Sequence, residues 1–462
     1  MKRMLLKLVA GLLIISFAAC TATVPMSYPE EPAAAGTLTP IELPTDWPEE
    51  PIVPTAPATE APGTGSEAEA GNLAARDPVE TDIPAVSDYA DFAHITAAAL
   101  LDGKANRNYS PISLYLALAM LTEGAHGVTK AELLKLLGCE SIEQLRGVVA
   151  GMLETLSIDE EQSTLELHNS LWMAQSINGL PVAFYDTFLG ALKDTYQSEA
   201  NTVEFGSQSA SKQIADWVVE RTRGKIKLDT GAFQFDPSTV AVLINTIYLK
   251  DNWAETFSES STEPGDFFGL NAEGQPETMT VDYMRRFDSN CTVTFGDGWM
   301  RYRVYLTRVG YVSFVLPDEG ISLDHLMGSP EAIEKLLTKG VDKACDVSLF
   351  IPKFSFQDKA ELAGLLSSLG LAHCFNPSAD FSAMCDAPCM VDRVLQESYI
   401  GVDENGVEAA AYTMISMRNT AFNPVQRERI DFHLTRPFLF AIESRSGEIL
   451  FIGTVTAPTA SK

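Results

Sequence analysis

Apolar residues recur at helical spacing in the stretch that begins near residue 110. Ser110-Pro111 supplies an N-cap residue and a proline at the first helical position, and Gly124 stands where this helix should end. A second helix is predicted to begin at the capping-box pattern Thr129 to Glu132 and to end at Gly138. Its apolar face is formed by Leu133, Leu134, Leu136 and Leu137.

Later in the chain the pattern changes to that of strands. Val240 to Leu249 is a long apolar and β-branched run, which is typical of a buried strand. Phe438 to Ile442 and Ile449 to Val455 flank the pair Ser446-Gly447, and this arrangement predicts a hairpin. One more capped helix is predicted from Asp358 to Gly370. Its apolar face is formed by Leu362, Leu365, Leu366 and Leu369. Early helices and late strands favour an α+β fold with a mainly antiparallel main sheet.

The N-terminus has the pattern of a secretory signal. Lys2, Arg3 and Lys7 precede a short apolar run that ends at Cys20, and the run is too short for a stable transmembrane helix. The ending Phe17-Ala18-Ala19-Cys20 resembles a bacterial lipobox, in which the cysteine is acylated, although Phe17 departs from the usual leucine. The alternative is an ordinary cleaved signal in which Cys20 is incidental. In both cases we expect residues 1–20 to lie outside the fold.

Residues 21–83 are predicted to form a disordered tether. The segment is rich in Pro, Ala, Glu and Thr, has no apolar periodicity, and carries twelve acidic residues against one basic residue, Arg76. Such a segment cannot bury enough apolar surface to offset its conformational entropy. No comparable linker follows, so residues 84–462 are predicted to form one domain.

The net charge of −29 argues against a partner with a phosphate backbone, because such proteins gather Lys and Arg. We therefore expect no nucleic acid partner and no heparin partner. The six cysteines after Cys20 are scattered, so we interpret them as free thiols and expect no metal site. They are Cys139, Cys291, Cys345, Cys374, Cys385 and Cys389.

The motifs of common enzymes are missing from the sequence. It contains no Gly-x-Ser-x-Gly, His-Glu-x-x-His, Gly-x-x-x-x-Gly-Lys or Gly-x-Gly-x-x-Gly pattern, and its six histidines show no paired spacing. We therefore expect neither catalytic residues nor a cofactor. A surface hydrolase with dispersed catalytic residues is the remaining enzymatic alternative.

Four separated blocks resemble the serpin family, in the family's order. The first is Asn106 to Ser113 with Ala117-Leu118 and Gly124-Ala125, and the second is Trp217 to Ile226, which has the form Trp-Val-x-x-x-Thr-x-Gly-Lys-Ile. The third is Asn245-Thr-Ile-Tyr-Leu-Lys250 with Trp253 and Phe257. The last comprises Ala379 to Ser382, Glu404 to Ala411, Arg436 to Phe440, Gly453 and Pro458. Together they span residues 90–460.

The resemblance implies a fold and a mechanism. The fold is α+β, with helices packed on a large mixed, mainly antiparallel main sheet, smaller sheets and an exposed reactive loop. A target serine protease forms its acyl-enzyme with this loop, and the cleaved loop then inserts into the main sheet as a new strand. The protein is therefore expected to be a monomeric, single-use inhibitor.

The segment from Glu404 to Thr413 is the predicted hinge of the reactive loop. Its inserting face should consist of small uncharged side chains, and alternate positions satisfy this. They are Val407, Ala409, Ala411 and Thr413. The hinge residues that the resemblance assigns are Glu404, Gly406, Val407, Glu408, Ala409, Ala410 and Ala411. A plain Ala-rich helical turn is the alternative interpretation of this segment.

The resemblance also assigns residues to the opening of the main sheet. Ser110, Ser113 and Asn245 match the hydrogen-bonding cluster beneath the sheet, and Trp253 matches the aromatic residue where the loop enters. Gln396 stands where most serpins have histidine, and an amide does not titrate, which puts acid-sensitive opening in doubt.

The reactive bond is less closely defined. The family's spacing from Glu404 places it at Thr420-Ala421, which suggests an elastase-like target. The loop is a few residues longer than is typical, so Arg418-Asn419, which would suit a trypsin-like protease, and Ala421-Phe422, which would suit a chymotrypsin-like or subtilisin-like one, remain alternatives. A non-inhibitory serpin acting as a surface binding module is the second functional hypothesis. Either protein would be held outside a bacterial membrane by lipid on Cys20.

Overall fold

The computed structural model describes residues 9–19, 85–160, 162–228, 234–407 and 427–458. Within these ranges it contains nine α-helices. They are α1 (Tyr89–Leu100), α2 (Pro111–Gly124), α3 (Gly127–Leu136), α4 (Ile142–Thr155), α5 (Asp186–Tyr196), α6 (Gln208–Arg221), α7 (Leu323–Leu326), α8 (Pro330–Thr338) and α9 (Ala363–Ser368). Two 3-10 helices lie at Glu259–Ser261 and His373–Phe375.

The strands of the same ranges, in chain order, form three sheets. They are β1 (Val9–Ala19), β2 (Arg107–Tyr109), β3 (Ile158–Asp159), β4 (Thr164–Ala174), β5 (Ser176–Ile177), β6 (Leu180–Pro181), β7 (Glu199–Val203), β8 (Thr239–Asn252), β9 (Glu263–Leu270), β10 (Pro276–Gly296), β11 (Trp299–Tyr305), β12 (Gly310–Pro317), β13 (Val341–Pro352), β14 (Phe354–Glu361), β15 (Cys389–Asp403), β16 (Gly406–Val407), β17 (Arg429–His433), β18 (Phe438–Ser444) and β19 (Ile449–Val455).

The main sheet contains β1, β3, β4, β7, β8, β14, β15 and β16. Its strands pair antiparallel except for β4 and β7, which are parallel. The second sheet runs in the order β17-β13-β10-β11-β12-β18-β19-β2, with β9 beside β10, and β5 and β6 form a separate two-stranded sheet. This arrangement confirms the α+β fold with a mixed, mainly antiparallel main sheet.

Helix α2 lies at the centre of the molecule. Every one of its residues from Pro111 to Gly124 is buried, and it contacts both β8 of the main sheet and β19 of the second sheet. A helix that is apolar on all sides is stable only in such a position, because no face of it meets water. Helix α2 therefore fixes the distance between the two sheets.

Several sequence predictions are confirmed. Helix α2 begins after the Ser110 cap and ends at Gly124 as expected. The buried run around Val240 is strand β8, in which all fourteen residues are buried. Strands β18 and β19 pair antiparallel around Ser446-Gly447 and form the predicted hairpin.

Two local predictions are wrong. The capping box at Thr129 does not form, because helix α3 already begins at Gly127. The Thr129 hydroxyl instead accepts a hydrogen bond from the Asp380 amide, and the Glu132 carboxylate accepts one from the His373 amide. Tertiary contacts therefore use both groups that the box would have used.

The helix predicted from Asp358 to Gly370 is short, and its first part is a strand. Strand β14 extends to Glu361 and pairs antiparallel with β15, and helix α9 begins only at Ala363. Asp358 does not cap a helix, because its carboxylate pairs with Arg107 at 3.2 Å and accepts from the Asn108 amide. Pairing with a neighbouring strand here outweighs the local helical pattern.

The expectation that residues 1–20 lie outside the fold is wrong for Val9–Ala19. In this unprocessed chain they form β1, which pairs antiparallel with β15 on one side and with β8 on the other. The side chains of Leu13, Ile15 and Phe17 are fully buried in the main core. An apolar run that is too short to cross a membrane has the composition of a central strand, and the sheet accepts it as one.

Among the described residues no helix combines the length and apolar character that a membrane span requires. The cysteines at positions 139, 291, 345, 374 and 385 are free thiols. The predicted tether, residues 21–83, lies outside the described residues, so the domain boundaries stay a prediction.

Candidate functional site

The candidate site is the space between β15 and β8 in the main sheet, which we call the slot. Two segments occupy it: β16 at the upper end and β1 below it. Each of these segments is antiparallel to both β15 and β8, so β15 and β8 run parallel to each other. An occupant of the slot can therefore form ladder hydrogen bonds on both of its edges.

A tight turn at Glu404-Asn405 leads from β15 into the slot. The Glu404 carbonyl accepts from the Phe257 amide at 2.9 Å, and the Asn405 carbonyl accepts from the Trp253 amide at 2.9 Å. These two backbone hydrogen bonds tie the turn to the segment that follows β8. The direction in which the chain enters the slot is thereby fixed.

The side chain of Glu404 is almost completely buried and has two polar partners. Lys353 pairs with its carboxylate at 2.8 Å, and the Thr262 hydroxyl donates to it at 2.7 Å. Burial raises the pKa of Glu404, but the hydrogen bonds from Lys353 and Thr262 outweigh burial and hold this pKa below its ordinary value. The carboxylate is therefore charged, and its contacts with Lys353 and Thr262 hold the first residue of the hinge in place.

Gly406 and Val407 are the first residues of the hinge that lie within the slot. Gly406 pairs with Asp403 and Asn252, and Val407 pairs with Val402 and Asp251. A Cβ atom on Gly406 would overlap the Asp251 carbonyl oxygen, so only glycine fits at this point. Val407 is fully buried in the main core. The side chain of Val407 thus lies in the core, and its role in insertion stays a prediction.

Trp253 closes the upper end of the slot. Its indole Nε1 donates to the Asp403 carbonyl at 2.9 Å, and its ring packs edge-on against Phe257 with the centroids 6.2 Å apart. Only 1% of its surface is exposed. The prediction that Trp253 lies where the loop enters is consistent with this position.

Below the hinge, Gln396 on β15 contacts the start of helix α2. Its Oε1 accepts from the Ser110 amide at 2.9 Å and its Nε2 donates to the Ser110 carbonyl at 3.0 Å. The Ser110 hydroxyl donates to the Leu450 carbonyl at 2.8 Å and lies 3.1 Å from the Ser113 hydroxyl. The structure thus brings Ser110, Ser113 and Gln396 together. Of the predicted cluster of Ser110, Ser113 and Asn245, it joins the two serines.

Asn245 on β8 does not join this cluster. Its Nδ2 donates to the Asn169 Oδ1 at 2.8 Å, and the Asn169 Nδ2 donates to the Tyr196 carbonyl. Leu13 of β1 pairs with both Asn245 and Gln396 and so lies between them. The buried Oδ1 of Asn245 consequently has no hydrogen-bond partner within the described part of the chain.

Three polar residues of the site were missed by sequence reasoning. They are Thr262, Lys353 and Asn169. Thr262 and Lys353 are far from the hinge in sequence, and nothing local marks them as partners of Glu404. Asn169 offered a signal, because an amide within the strand Thr164–Ala174 has to find a polar partner in the core.

The other predicted site residues lie outside the described residues. They are Glu408, Ala409, Ala410 and Ala411 of the hinge, Arg418, Asn419, Thr420 and Ala421 at the reactive bond, and the lipidation candidate Cys20. Their roles stay predictions.

The fold and the slot define a class of protein. Its central sheet holds two segments between β15 and β8, and one of them, β16, begins at a glycine just after the turn that follows β15. The family model described as Serpin (serine protease inhibitor) matches residues 88–458, and the chain belongs to the serpin family.

Curated relatives support the family assignment over most of the chain. Alpha-1-antiproteinase 2 of Equus caballus is 30% identical over 401 residues, which cover 83% of this chain and 89% of the relative. Alpha-1-antiproteinase of Callosciurus caniceps is 31% identical over 363 residues, which cover 76% of this chain and 83% of that protein.

Solved structures agree with the fold. The native state of tengpin, a thermophilic serpin, matches with a TM-score of 0.68 at 27% identity, over 80% of this chain and 93% of tengpin. The latent state of tengpin matches with a TM-score of 0.66 at 26% identity, over 81% and 97% of the two chains. Human thyroxine-binding globulin, with a TM-score of 0.68 at 24% identity and coverages of 81% and 98%, shows the fold alone. Serpins are mostly protease inhibitors, but some members are non-inhibitory.

Proposed function

We propose that this protein is a single-use inhibitor of serine proteases that acts by inserting its cleaved reactive loop into the slot. The protease attacks the loop and forms an acyl-enzyme. Insertion then carries the attached protease away from its docking position before the ester is hydrolysed. Alpha-1-antiproteinase, a similar protein, bears an inhibitor's name, which supports this proposal.

The observation that carries the proposal is the position of Gly406 and Val407. They already pair with both β15 and β8, so the first step of insertion needs no rearrangement of the hinge. The sheet below them holds an eleven-residue strand, β1, and so has room for a long inserted segment. A loop inserted from Glu404 to Thr420 would move its end by about 50 Å at roughly 3.3 Å per residue.

The alternation of side chains supports insertion of this particular sequence. Val407 faces the main core, and side chains two residues apart in a strand share a face. Ala409, Ala411 and Thr413 would therefore enter the core after Val407. All of them are small and uncharged, so none would bring a charge into the core.

The target is proposed to be an elastase-like protease that cuts at Thr420-Ala421. Arg418-Asn419 and Ala421-Phe422 are the alternatives for a trypsin-like and for a chymotrypsin-like or subtilisin-like protease. Incubation of the exported protein with elastase, trypsin, chymotrypsin and subtilisin tests this. We expect a covalent complex that survives denaturant with one of them. Cleavage by all four proteases without any such complex would favour a non-inhibitory binding module.

Val407→Arg tests the role of the hinge. Val407 is already fully buried in the intact protein, so an arginine without a partner there costs several kcal/mol and should displace the start of the hinge from the slot. Insertion should then begin later than in the wild-type protein, and the acyl-enzyme should hydrolyse first. The variant should be cut as a substrate and yield little complex. Val128→Arg is the matched control, because Val128 is 53% exposed and far from the hinge in sequence. If Val407→Arg forms as much complex per cleaved molecule as the control, the hinge assignment is wrong.

We further propose that the protein is a bacterial lipoprotein, held at the outer side of a membrane by lipid on Cys20. Residues 21–83 would act as the tether, since prolines and like charges keep such a segment extended. Cys20→Ser should release the protein from membranes or block its processing. Wild-type protein that is fully soluble and carries no acyl chain would contradict the anchor but not the inhibitor.

A further inference from the structure

The leader strand β1 occupies the slot in the same register that the reactive loop would use. Leu13 lies opposite Asn245 on β8 and Gln396 on β15. Val407 lies opposite Asp251, and six further residues along this register lead to position 413 opposite Asn245. As far as Ser16, each residue of β1 therefore lies where a continued hinge strand would place the residue numbered 400 higher; beyond Ser16 the register of β1 on β15 shifts.

The two sequences are alike at these equivalent positions. The leader reads Ala10-Gly-Leu-Leu-Ile-Ile-Ser16, and the loop reads Ala410-Ala-Tyr-Thr-Met-Ile-Ser416. Ala10, Ile15 and Ser16 are identical to their counterparts. Gly11 has a small counterpart, and Leu12 and Ile14 have bulky or apolar ones. The two sequences therefore share their apolar or small character at most of these equivalent positions.

The leader also fills both faces of the slot. Leu13, Ile15 and Phe17 pack into the main core, whereas Ile14 packs into the second apolar cluster, which includes residues of helix α6. The same alternation buries Val407 in the main core. The two segments would point corresponding side chains to the same face and would use the same register. They cannot occupy the slot together, because each would pair with the same backbone groups of β8 and β15.

We propose that the leader, as long as it remains on the chain, occupies the slot as an internal competitor of the reactive loop and keeps the unprocessed protein from inserting that loop. Removal of the leader would vacate the slot and make the inhibitor competent. Cleavage before Cys20 would remove all of β1, since this strand ends at Ala19. The consequence for inhibition rests on the proposed function, but occupation of the slot by the leader can be measured without it.

The fit of the leader is incomplete at one point, which distinguishes it from the loop. Leu13 leaves the buried Oδ1 of Asn245 without a hydrogen bond, as seen in the described part of the chain. The equivalent loop residue is Thr413, whose hydroxyl can donate. A threonine at this position could therefore satisfy the Asn245 Oδ1, which Leu13 does not.

Ile15→Lys in the unprocessed full-length chain tests the proposal. The substitution puts a charge where the Ile15 side chain is fully buried, so the leader should leave the slot. Intact mass should first verify that the N-terminus is retained in every variant. We expect the uncut variant to melt at a lower temperature than the wild-type chain, with faster hydrogen exchange at the amides of β8 and β15.

Protease trapping is the second readout. The unprocessed wild-type chain should yield little covalent complex, and Ile15→Lys should yield several-fold more. Ile15→Val, which keeps the apolar contact, and Val128→Lys, on an exposed residue, should both behave like the wild-type chain.

The outcomes separate the two hypotheses. Unchanged melting and hydrogen exchange in Ile15→Lys would overturn occupation of the slot by the leader. Changed melting and exchange, with no complex from any variant or from the processed protein, would support the leader's position and reject the inhibitory function. Changed melting and exchange with equal trapping by wild-type and Ile15→Lys chains would overturn the competition.

Discussion

The hinge end of the slot and its middle are built in different ways. At the hinge end the Glu404 carboxylate pairs with Lys353 and accepts a hydrogen bond from the Thr262 hydroxyl. The backbone carbonyl of Glu404 accepts a hydrogen bond from the Phe257 amide. In the middle, the buried Asn245 Oδ1 has no hydrogen bond among the described residues, and Leu13 lies opposite it. An unpaired buried acceptor costs roughly 1–3 kcal/mol. The hinge end therefore fixes one backbone path, while the middle leaves a polar group unsatisfied by its present occupant, as expected if that occupant is exchanged as we propose.

The largest effect should come from a side chain at the hinge end. Gly406→Val places a Cβ atom against the Asp251 carbonyl oxygen and should displace the hinge strand, at a cost of about 3 kcal/mol. Protease trapping should be lost together with this stability. Gly190→Ala is the control, because a Cβ atom at that position would meet nothing within 4 Å apart from its chain neighbours and the backbone of its own helix. Chemical denaturation and the complex assay would measure both effects, and trapping by Gly406→Val at the wild-type level would refute the close-contact argument.

Glu404→Gln should have the next largest effect. It removes the charge that pairs with Lys353 in an almost fully buried place, and we expect a loss of about 2 kcal/mol in the free energy of unfolding. Glu428→Gln removes an ion pair with Lys343 in which both side chains are exposed, so its cost should stay below about 1 kcal/mol. Equal losses in the two variants would mean that the hinge carboxylate contributes no more than a surface ion pair.

The same carboxylate predicts a pH dependence. Because the pKa of Glu404 is lowered in the folded protein, its stabilisation is complete above the pKa of the unfolded chain, about 4.3, and is lost as the pH falls through the folded value. The difference in stability between wild-type and Glu404→Gln proteins should therefore be constant near neutral pH and shrink in acid. Denaturation curves of both proteins between neutral pH and pH 3 would measure it, and a difference that grows in acid would contradict the assigned direction.

In the middle of the slot the effects should be smaller. Gln396→Leu removes the acceptor of the Ser110 amide, and we expect a loss of about 1 kcal/mol. Gln213→Leu, at an exposed glutamine of helix α6, is the control.

Since an amide does not titrate, Gln396→His should introduce a change in stability near pH 6.5 that the wild-type protein lacks. The absence of any such change in the histidine variant would show that this position does not control opening.

The sequence allowed the fold class, the central helix and the buried strand β8 to be predicted, because each has a strong signal in the sequence. The Ser110 cap is one such signal, and the apolar, β-branched run from Val240 is another. Partners that meet only through the fold could not be predicted. Lys353 and Thr262 lie 51 and 142 residues from Glu404 in the sequence.

The leader was misjudged for a different reason. Its apolar run fits both a secretory signal and a central strand, and local composition does not distinguish them. The choice depends on whether the sheet has a vacant position of the right length and register. Only the three-dimensional arrangement of β15 and β8 shows that such a position exists.

The most direct test of loop insertion compares the thermal stability of the intact protein with that of the loop-cleaved protein. The protein should be the exported form without its leader, cut between Met417 and Ala421 by a protease that escapes trapping, with the cut position read by mass spectrometry. If the loop inserts, some of its residues gain ladder hydrogen bonds worth about 1 kcal/mol each, and the melting temperature should rise sharply. An ordinary nicked protein loses stability, so an equal or lower melting temperature after cleavage would contradict insertion of the loop.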